Sequence, residues 1–456
     1  ARPHDDALLK SLGWFMGSLD AALSSFDHPA AHRKFHWDLK EASTIIQSLT
    51  EAIPEEENQT MIMGYLNHYL SHTQPRLNRL RQSVIHNDGN DYNVLVTPES
   101  PWQNRVDSVI DYGDMVYTHT VNELAIACAY AMMGKKDPLS AAKPVVAGYH
   151  QAYPLQEMEL SVLFDLILMR LCMSVCHSAH QSRMAPDNTY LQVSETPAWT
   201  LLDQLSEIHP RLAEYHFRDA CRMPPVPHAK KITEWLKEKK DHFESIVDPA
   251  PGKDSSIVLD LSVESPLVNG IDIQNDTADM SRAIFGQMHQ KGAVIGIGCY
   301  DEARAIYISD AYRQQREQMP EMRTIHMGMD LHMLPGTSIR AFCDGKVHSF
   351  NNNATRYDYG PTIILSHATG DGFPFYTLYG HLSLASLENL SVGQEISRGE
   401  KFAEIGDTHV NGGWPPHLHF QIITDMLGET GNYMGVASPS QRRVWKALSP
   451  DPNLIL

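Results

Sequence analysis

Two proline clusters set the strongest limit on how this chain folds. Arg222-Met223-Pro224-Pro225-Val226-Pro227-His228 and Asp248-Pro249-Ala250-Pro251-Gly252 both break regular structure, because proline lacks an amide donor and fixes its own φ. The charged stretch 230–246 between them reads as one solvated helix. We therefore read 223–255 as a connector between a first domain, 1–222, and a second, 256–456.

The first domain has helical periodicity. Leu8, Leu9, Leu12, Phe15 and Leu19 recur at helix spacing, and 160–180, with Leu163, Phe164, Ile167, Leu168, Leu171 and Val175, is nearly all apolar, as in a core helix. Asp165 and Arg170 interrupt that stretch well short of the roughly 20 residues a membrane span needs. Cys172 and Cys176 on it read as buried thiols.

The second domain has strand periodicity. Runs at 337–342, 361–367 and 375–379 are short, β-branched or aromatic, and separated by Gly, Asp and Asn. Asp344-Gly345 predicts a hairpin turn. Gly292-Ala293-Val294-Ile295-Gly296-Ile297-Gly298 lacks the glycine spacing of a dinucleotide loop and reads as a buried strand. The segment 256–310 is expected to extend this domain with further strands. The fold class expected is multidomain, mainly α followed by a mainly β antiparallel sheet.

Composition narrows the function. A net charge of −18 disfavours nucleic-acid and anionic-membrane partners, which call for basic patches. Six cysteines, without the close pairs of a secreted disulfide framework, fit a reducing compartment. The reducing compartment that the cysteines fit makes a cytoplasmic location the expectation, and no signal peptide or membrane-spanning run stands out.

The chemistry of the second domain lies in its histidines. His326-Met327-Gly328-Met329-Asp330 precedes Trp414-Pro415-Pro416-His417-Leu418-His419-Phe420, with His381 between them. In extended chain, alternate side chains share a face, which groups His417 with His419 and His326 with Asp330. Three of these four can close around one metal. Hydrolytic Zn²⁺ takes three N or O ligands at roughly 2.0–2.2 Å and keeps a fourth position for water. One histidine among 24 is ordinarily a satisfied residue, but this constellation is improbable as coincidence.

Over about 324–424 the domain resembles the M23, or LytM-type, zinc metallopeptidases. The resemblance implies His326, Asp330 and His419 as zinc ligands, with His381 and His417 as non-ligand active-site histidines. The implied reaction is metal-assisted hydrolysis of a peptide or small amide, with His381 and His417 orienting water, stabilising the oxyanion and moving protons. Gln421 stands where many relatives carry Glu, and Trp414-Pro415-Pro416 replaces small polar residues. His332 adds a competing side chain on the face of Asp330. These departures bear on substrate choice more than on metal binding.

In the first domain, His86-Asn87-Asp88-Gly89-Asn90-Asp91-Tyr92-Asn93 places Asp88 and Asn93 between apolar runs, and Val109-Ile110-Asp111-Tyr112-Gly113-Asp114 follows. Such an order suits phosphoryl transfer: one Asp accepts the substrate hydroxyl proton, while an Asn and a later Asp hold Mg²⁺ on the ATP phosphates. Over about 9–208 the domain resembles the aminoglycoside phosphotransferase and choline kinase group, most closely its hydroxylysine-kinase-like branch. The resemblance implies Asp88 as catalytic base, Asn93 and Asp111 as Mg²⁺ ligands, and a small-molecule phosphoryl acceptor. No N-terminal lobe with its phosphate-binding lysine is legible, so we expect a kinase C-lobe only, binding ATP poorly or not at all.

The pairing resembles multifunctional proteins in which a small-molecule kinase and an M23-type domain precede a class-III, pyridoxal-phosphate-dependent aminotransferase-like domain. Such a third domain is expected in the parent protein. Three functions follow: a zinc hydrolase joined to a kinase C-lobe, a small-molecule kinase with an inert M23 scaffold, or a metal-bearing module that binds a peptide without turnover. A cell-wall substrate would instead imply export.

Overall fold

The computed structural model describes residues 4–100, 103–184, 195–252, 255–268, 277–307, 309–316 and 319–456. The chain divides into two units, Ala1–Pro225 and Val226–Leu456, the first largely helical and the second built on a β-sheet.

In the first unit, helix α1 (Asp6–Leu23) starts where the Asp5 carboxylate accepts from the Leu8 amide at 2.7 Å. Two short antiparallel ladders follow. Strand β1 (Gln82–Ile85) pairs with β4 (Val116–His119), and β2 (Val94–Ser100) pairs with β3 (Gln103–Val109). Between them lie the turns that carry Asp88 and Asp111. Helices α2 (Val121–Met132), α3 (Pro138–Ala152) and α4 (Glu157–Met184) complete the region used below. Helices α1 and α3 approach so closely that a Cβ at Gly13 would overlap the Val145 carbonyl oxygen.

Helix α4 is long and apolar enough to cross a membrane, yet most of that stretch is buried in protein. The two charges in its apolar middle, Asp165 and Arg170, have partners there. Asp165 accepts from the Thr73 hydroxyl, and Arg170 donates to Asp88 at 3.4 Å with its guanidinium 4.6 Å from the Trp37 ring centroid. Cys172 and Cys176 are buried free thiols, as expected.

In the second unit, helix α5 (Ala229–Lys239) buries Ile232 and Leu236 in the core and packs Trp235 on Phe375. The helix read as a solvated connector thus has one face committed to this unit's core. Strand β5 (Ser256–Leu259), helix α6 (Thr277–Lys291) and strand β6 (Ile295–Gly298) come next. They are followed by β7 (Met329–His332), β8 (Gly345–Asn353), β9 (Gly360–Ala368), β10 (Pro374–Gly380), β11 (Glu395–Ile396) and β12 (His417–Ile423). One eight-stranded sheet results, in the order β11-β8-β9-β10-β12-β7-β6-β5.

Three local expectations change. All neighbours in this sheet are antiparallel except β5 and β6, which are parallel and connected through α6, so the extension at 256–310 is not strands alone. Asp344-Gly345 makes no hairpin. Ser338–Arg340 pairs with Lys401–Glu404 in a small separate ladder, and the chain then crosses to the main sheet, where Asp344 accepts from the Arg398 amide at 2.7 Å. Finally, 326–330 is not one continuous strand: Ile325–His326 pairs with Val436–Ala437, and only from Met329 does the chain join the main sheet.

Candidate functional site

The centre of the second unit is assembled on β7 and β12. Their register sets Asp330 opposite His419 and His332 opposite His417, so all four project from one face. His326 arrives from the neighbouring ladder across the break at Met327-Gly328. Gly328 is required there, because a Cβ at that position would collide with the His419 ring.

His326 Nε2, His419 Nδ1 and Asp330 Oδ1 converge. The separations are 3.0 Å between the two nitrogens and 3.2 and 3.1 Å from them to the oxygen. A tetrahedral ion with bonds of about 2.0 Å holds its ligands about 3.3 Å apart, so these edges fit such an ion. The outer hydrogen bonds say what the inner atoms carry. His326 Nδ1 faces the Cys299 carbonyl at 3.0 Å and must donate to it. Gln421 uses its amide nitrogen on Met434 O (3.1 Å) and Ser449 Oγ (2.7 Å), which leaves its oxygen to accept from His419 Nε2 at 3.0 Å. In the neutral rings the two inward nitrogens therefore hold lone pairs, facing each other and a carboxylate with no proton between. A cation resolves that arrangement, and the residues fit Zn²⁺.

His381 and His417 flank the cluster. His417 Nδ1 donates to Pro415 O at 2.6 Å, directing Nε2 inward, 3.7 Å from Asp330 Oδ1. His381 Nδ1 donates to Asn411 O at 2.8 Å, and its ring centroid lies 4.2 Å from that of His417. His381 has φ 62°, a left-handed conformation that costs a β-carbon residue energy and recurs at functional positions. Its backbone is fixed on both sides, by Tyr359 O and by the Gly406 amide.

Every one of these five residues is at most 5% exposed. Burial, followed by the Arg304 charge, brings His326 down to about 4, so the ring is neutral at pH 7. Burial likewise lowers His417, and lowers His381 well below the usual range. Burial acts to raise Asp330, but the facing imidazoles and the Arg304 guanidinium outweigh it and hold the carboxyl well below the ordinary carboxylate range. The His332 ring lies against that of His417, tilted 32° with centroids 4.9 Å apart, and neither of its ring nitrogens has a protein partner. It lies outside the converging cluster of His326, Asp330 and His419.

In the first unit, Asn93 donates through Nδ2 to Asp88 Oδ2 (2.7 Å) and Asp88 O (3.0 Å), which turns its amide oxygen away from Asp88. Asn90 and Arg170 donate to Asp88 Oδ1. The loop is anchored from below: Asn87, at φ 69°, gives its amide to Glu123, and Ile110 gives its amide to Asn93 O, linking the two motifs. Asp111 is exposed, at φ 64°, and accepts from the Gly113 amide at 3.2 Å. Burial, with the charge of Asp88 next, raises Asp114, and Asp111 adds to it, so the three carboxylates share one neighbourhood. Carboxylate and amide oxygens are the donors that Mg²⁺ takes.

Two family models match the chain. "Peptidase family M23" covers 324–432, and "Phosphotransferase enzyme family" covers 1–159. A hydroxylysine kinase of Danio rerio is 28% identical over 206 residues, 44% of this chain and 58% of that protein. An uncharacterized metalloprotease of Haemophilus influenzae is 29% identical over 137 residues, 29% of this chain and 26% of that protein. Among solved structures, an amicoumacin kinase aligns at 14% identity with a TM-score of 0.32, over 44% of this chain and 60% of its own. The chain thus spans under two thirds of the hydroxylysine kinase length. It combines an N-terminal region homologous to phosphotransferases with a C-terminal region homologous to M23 peptidases.

Sequence reasoning missed Arg304, whose Nη1 donates to Asp330 Oδ2 at 2.6 Å, and the carbonyls of Cys299, Asn411 and Pro415. Gln421 did carry a signal. Two residues beyond His419 on the same strand face, it is placed to touch the ring.

Proposed function

We propose that the second unit is a zinc-dependent peptide or amide hydrolase, with His326, Asp330 and His419 as ligands and His381 and His417 as its working histidines. The observation that carries this is the convergence of three lone pairs whose outer nitrogens are pinned by fixed acceptors. Zinc, when bound, supplies Lewis acidity towards a carbonyl and lowers the pKa of water. His417 and His381 each hold an Nδ1 proton on a backbone carbonyl, so Nε2 is the atom free to take a proton from water and return it to a leaving amine. Their burial keeps both rings neutral, the state a proton acceptor needs. Chelator-sensitive cleavage in a screen of glycyl and D-amino-acid peptides, lost in His381→Ala and His417→Ala, is the result expected; cleavage that survives chelator would contradict the reading.

For the first unit we propose the C-lobe chemistry of a small-molecule phosphotransferase, with Asp88 as base and Asn93 and Asp111 as Mg²⁺ ligands for ATP. The hydrogen bond from Asn93 to Asp88 supports it by fixing the carboxylate while leaving the amide oxygen outward. Because a C-lobe alone is expected to bind nucleotide poorly, the test is Mg²⁺ binding itself: a weak Mg²⁺ site, read by titration of the full chain, that disappears in Asp111→Ala is the result expected, and Mg²⁺ binding unchanged in that variant would contradict the reading. The acceptor class proposed is an amino alcohol, and a cytosolic setting follows from the nucleotide.

A further inference from the structure

Arg304 is 1% exposed, and its guanidinium touches the proposed ligand shell from outside the 324–432 stretch that matches the peptidase family. Each of its three nitrogens has an acceptor. Nη1 donates to Asp330 Oδ2 at 2.6 Å and lies 3.3 Å from the Tyr307 hydroxyl, Nε donates to Glu302 Oε2 at 2.8 Å, and Nη2 reaches Cys299 O at 3.3 Å. Cys299 O is the carbonyl that fixes the His326 tautomer. Glu302 is tied in turn, its other oxygen accepting from the Leu261 amide at 3.1 Å. The segment 299–307 therefore grips two of the three ligands.

We propose that Arg304 is a positioning residue of the metal centre. By occupying Oδ2 it makes Asp330 present Oδ1 alone to the ion, and so sets a one-oxygen ligand and an open coordination position. The inference rests on the metal reading of the site. Carboxylates bind cations through one oxygen or two, and nothing else in contact with Oδ2 among the described residues decides between them. Oδ1 is the oxygen that faces His326, His419 and, at 3.7 Å, His417. A buried ion pair is a weak stabiliser compared with apolar packing of the same volume, so its place against a ligand calls for more than stability. Lysine would keep the charge but lose the planar fork that spans Asp330, Glu302 and Cys299.

The test uses the full chain, stripped with chelator and reloaded with Co²⁺ to read its visible spectrum, and with Zn²⁺ in competition with a chromophoric chelator. Arg304→Met is expected to weaken zinc binding about 10- to 100-fold and to shift and weaken the cobalt bands as the second carboxylate oxygen joins the ion. Arg304→Lys is expected to fall between, with circular dichroism showing an intact fold. Arg304→Met with zinc affinity within about twofold of wild type and an unchanged cobalt spectrum would overturn the inference alone. Should Arg304→Met not fold, Arg304→Lys decides by the same criteria. Wild-type protein that takes up no cobalt overturns the metal reading itself, which separates the two failures.

Discussion

Gln421 offers the sharpest perturbation of the site, because its two ends do different work. Its oxygen accepts from His419 Nε2 at 3.0 Å, and its nitrogen donates to Met434 O and Ser449 Oγ, all within the protein interior. Gln421→Leu keeps the volume and removes both ends. The His419 N–H and the Met434 carbonyl then lose their partners, at about 1–3 kcal/mol each, partly offset by leucine packing, for a net loss of about 2–4 kcal/mol in the metal-free protein. The His419 tautomer is no longer fixed, so zinc affinity should also fall about 10- to 100-fold. Gln421→Glu separates the effects. It keeps an acceptor for His419 and should hold zinc about as well as wild type, but it places a carboxylate oxygen against Met434 O and should cost the metal-free protein about as much stability as leucine does. Urea unfolding of stripped protein and chelator competition for zinc read the two quantities separately. If leucine leaves affinity within about twofold of wild type, or glutamate weakens it as much as leucine, the assignment of Gln421 as the acceptor that sets His419 is refuted.

Other consequences can be checked with simpler measurements. Burial lowers the His367 imidazole to about 4, with its Nδ1–H on Asp344 O. A depressed folded pKa means that the unfolded chain takes up the proton first, below about 6.5, so this group's contribution is present above that pH and drains away as pH falls towards 4. Denaturant unfolding at pH 7.5 and 5 should show wild type losing about 2 kcal/mol more than His367→Asn, and equal losses would contradict it. Gly13→Ala drives a Cβ into the Val145 carbonyl between α1 and α3 and should cost the first unit about 3 kcal/mol, read as a lowered unfolding midpoint. An unchanged midpoint would mean that the two helices are not so closely packed. Gly328→Ala should weaken zinc uptake, measured by chelator competition, because the new methyl displaces the His419 ring.

How much of this was legible depends on the range of each interaction. His417, His419 and Gln421 share a face by strand alternation alone, whereas Asp330 meets them only through ladder register, and the grouping of His326, Asp330 and His419 was legible only through the resemblance to M23 peptidases. The helical first region and the core character of α4 followed from period and from its two interrupting charges. Long-range contacts were not legible. Nothing around Arg304 announces that it will meet Asp330, and no composition signal shows that Asp344-Gly345 passes between two ladders instead of turning back. The break at Met327-Gly328 was hidden for the same reason: the pressure on Gly328 comes from the ring of His419, far along the chain. The charged helix α5 was misread because its large buried residues, Ile232 and Leu236, are few among many lysines and glutamates.

The central claim is that three side chains on two ladders bind one zinc ion. The direct measurement is elemental analysis of zinc in the purified full chain after loading and desalting, beside His419→Ala treated identically and shown to be folded. The account predicts about one zinc per chain in wild type and a stoichiometry near zero in the variant, since two remaining ligands hold the ion poorly. A wild-type protein that retains no zinc, or a variant that retains as much as wild type, would contradict it.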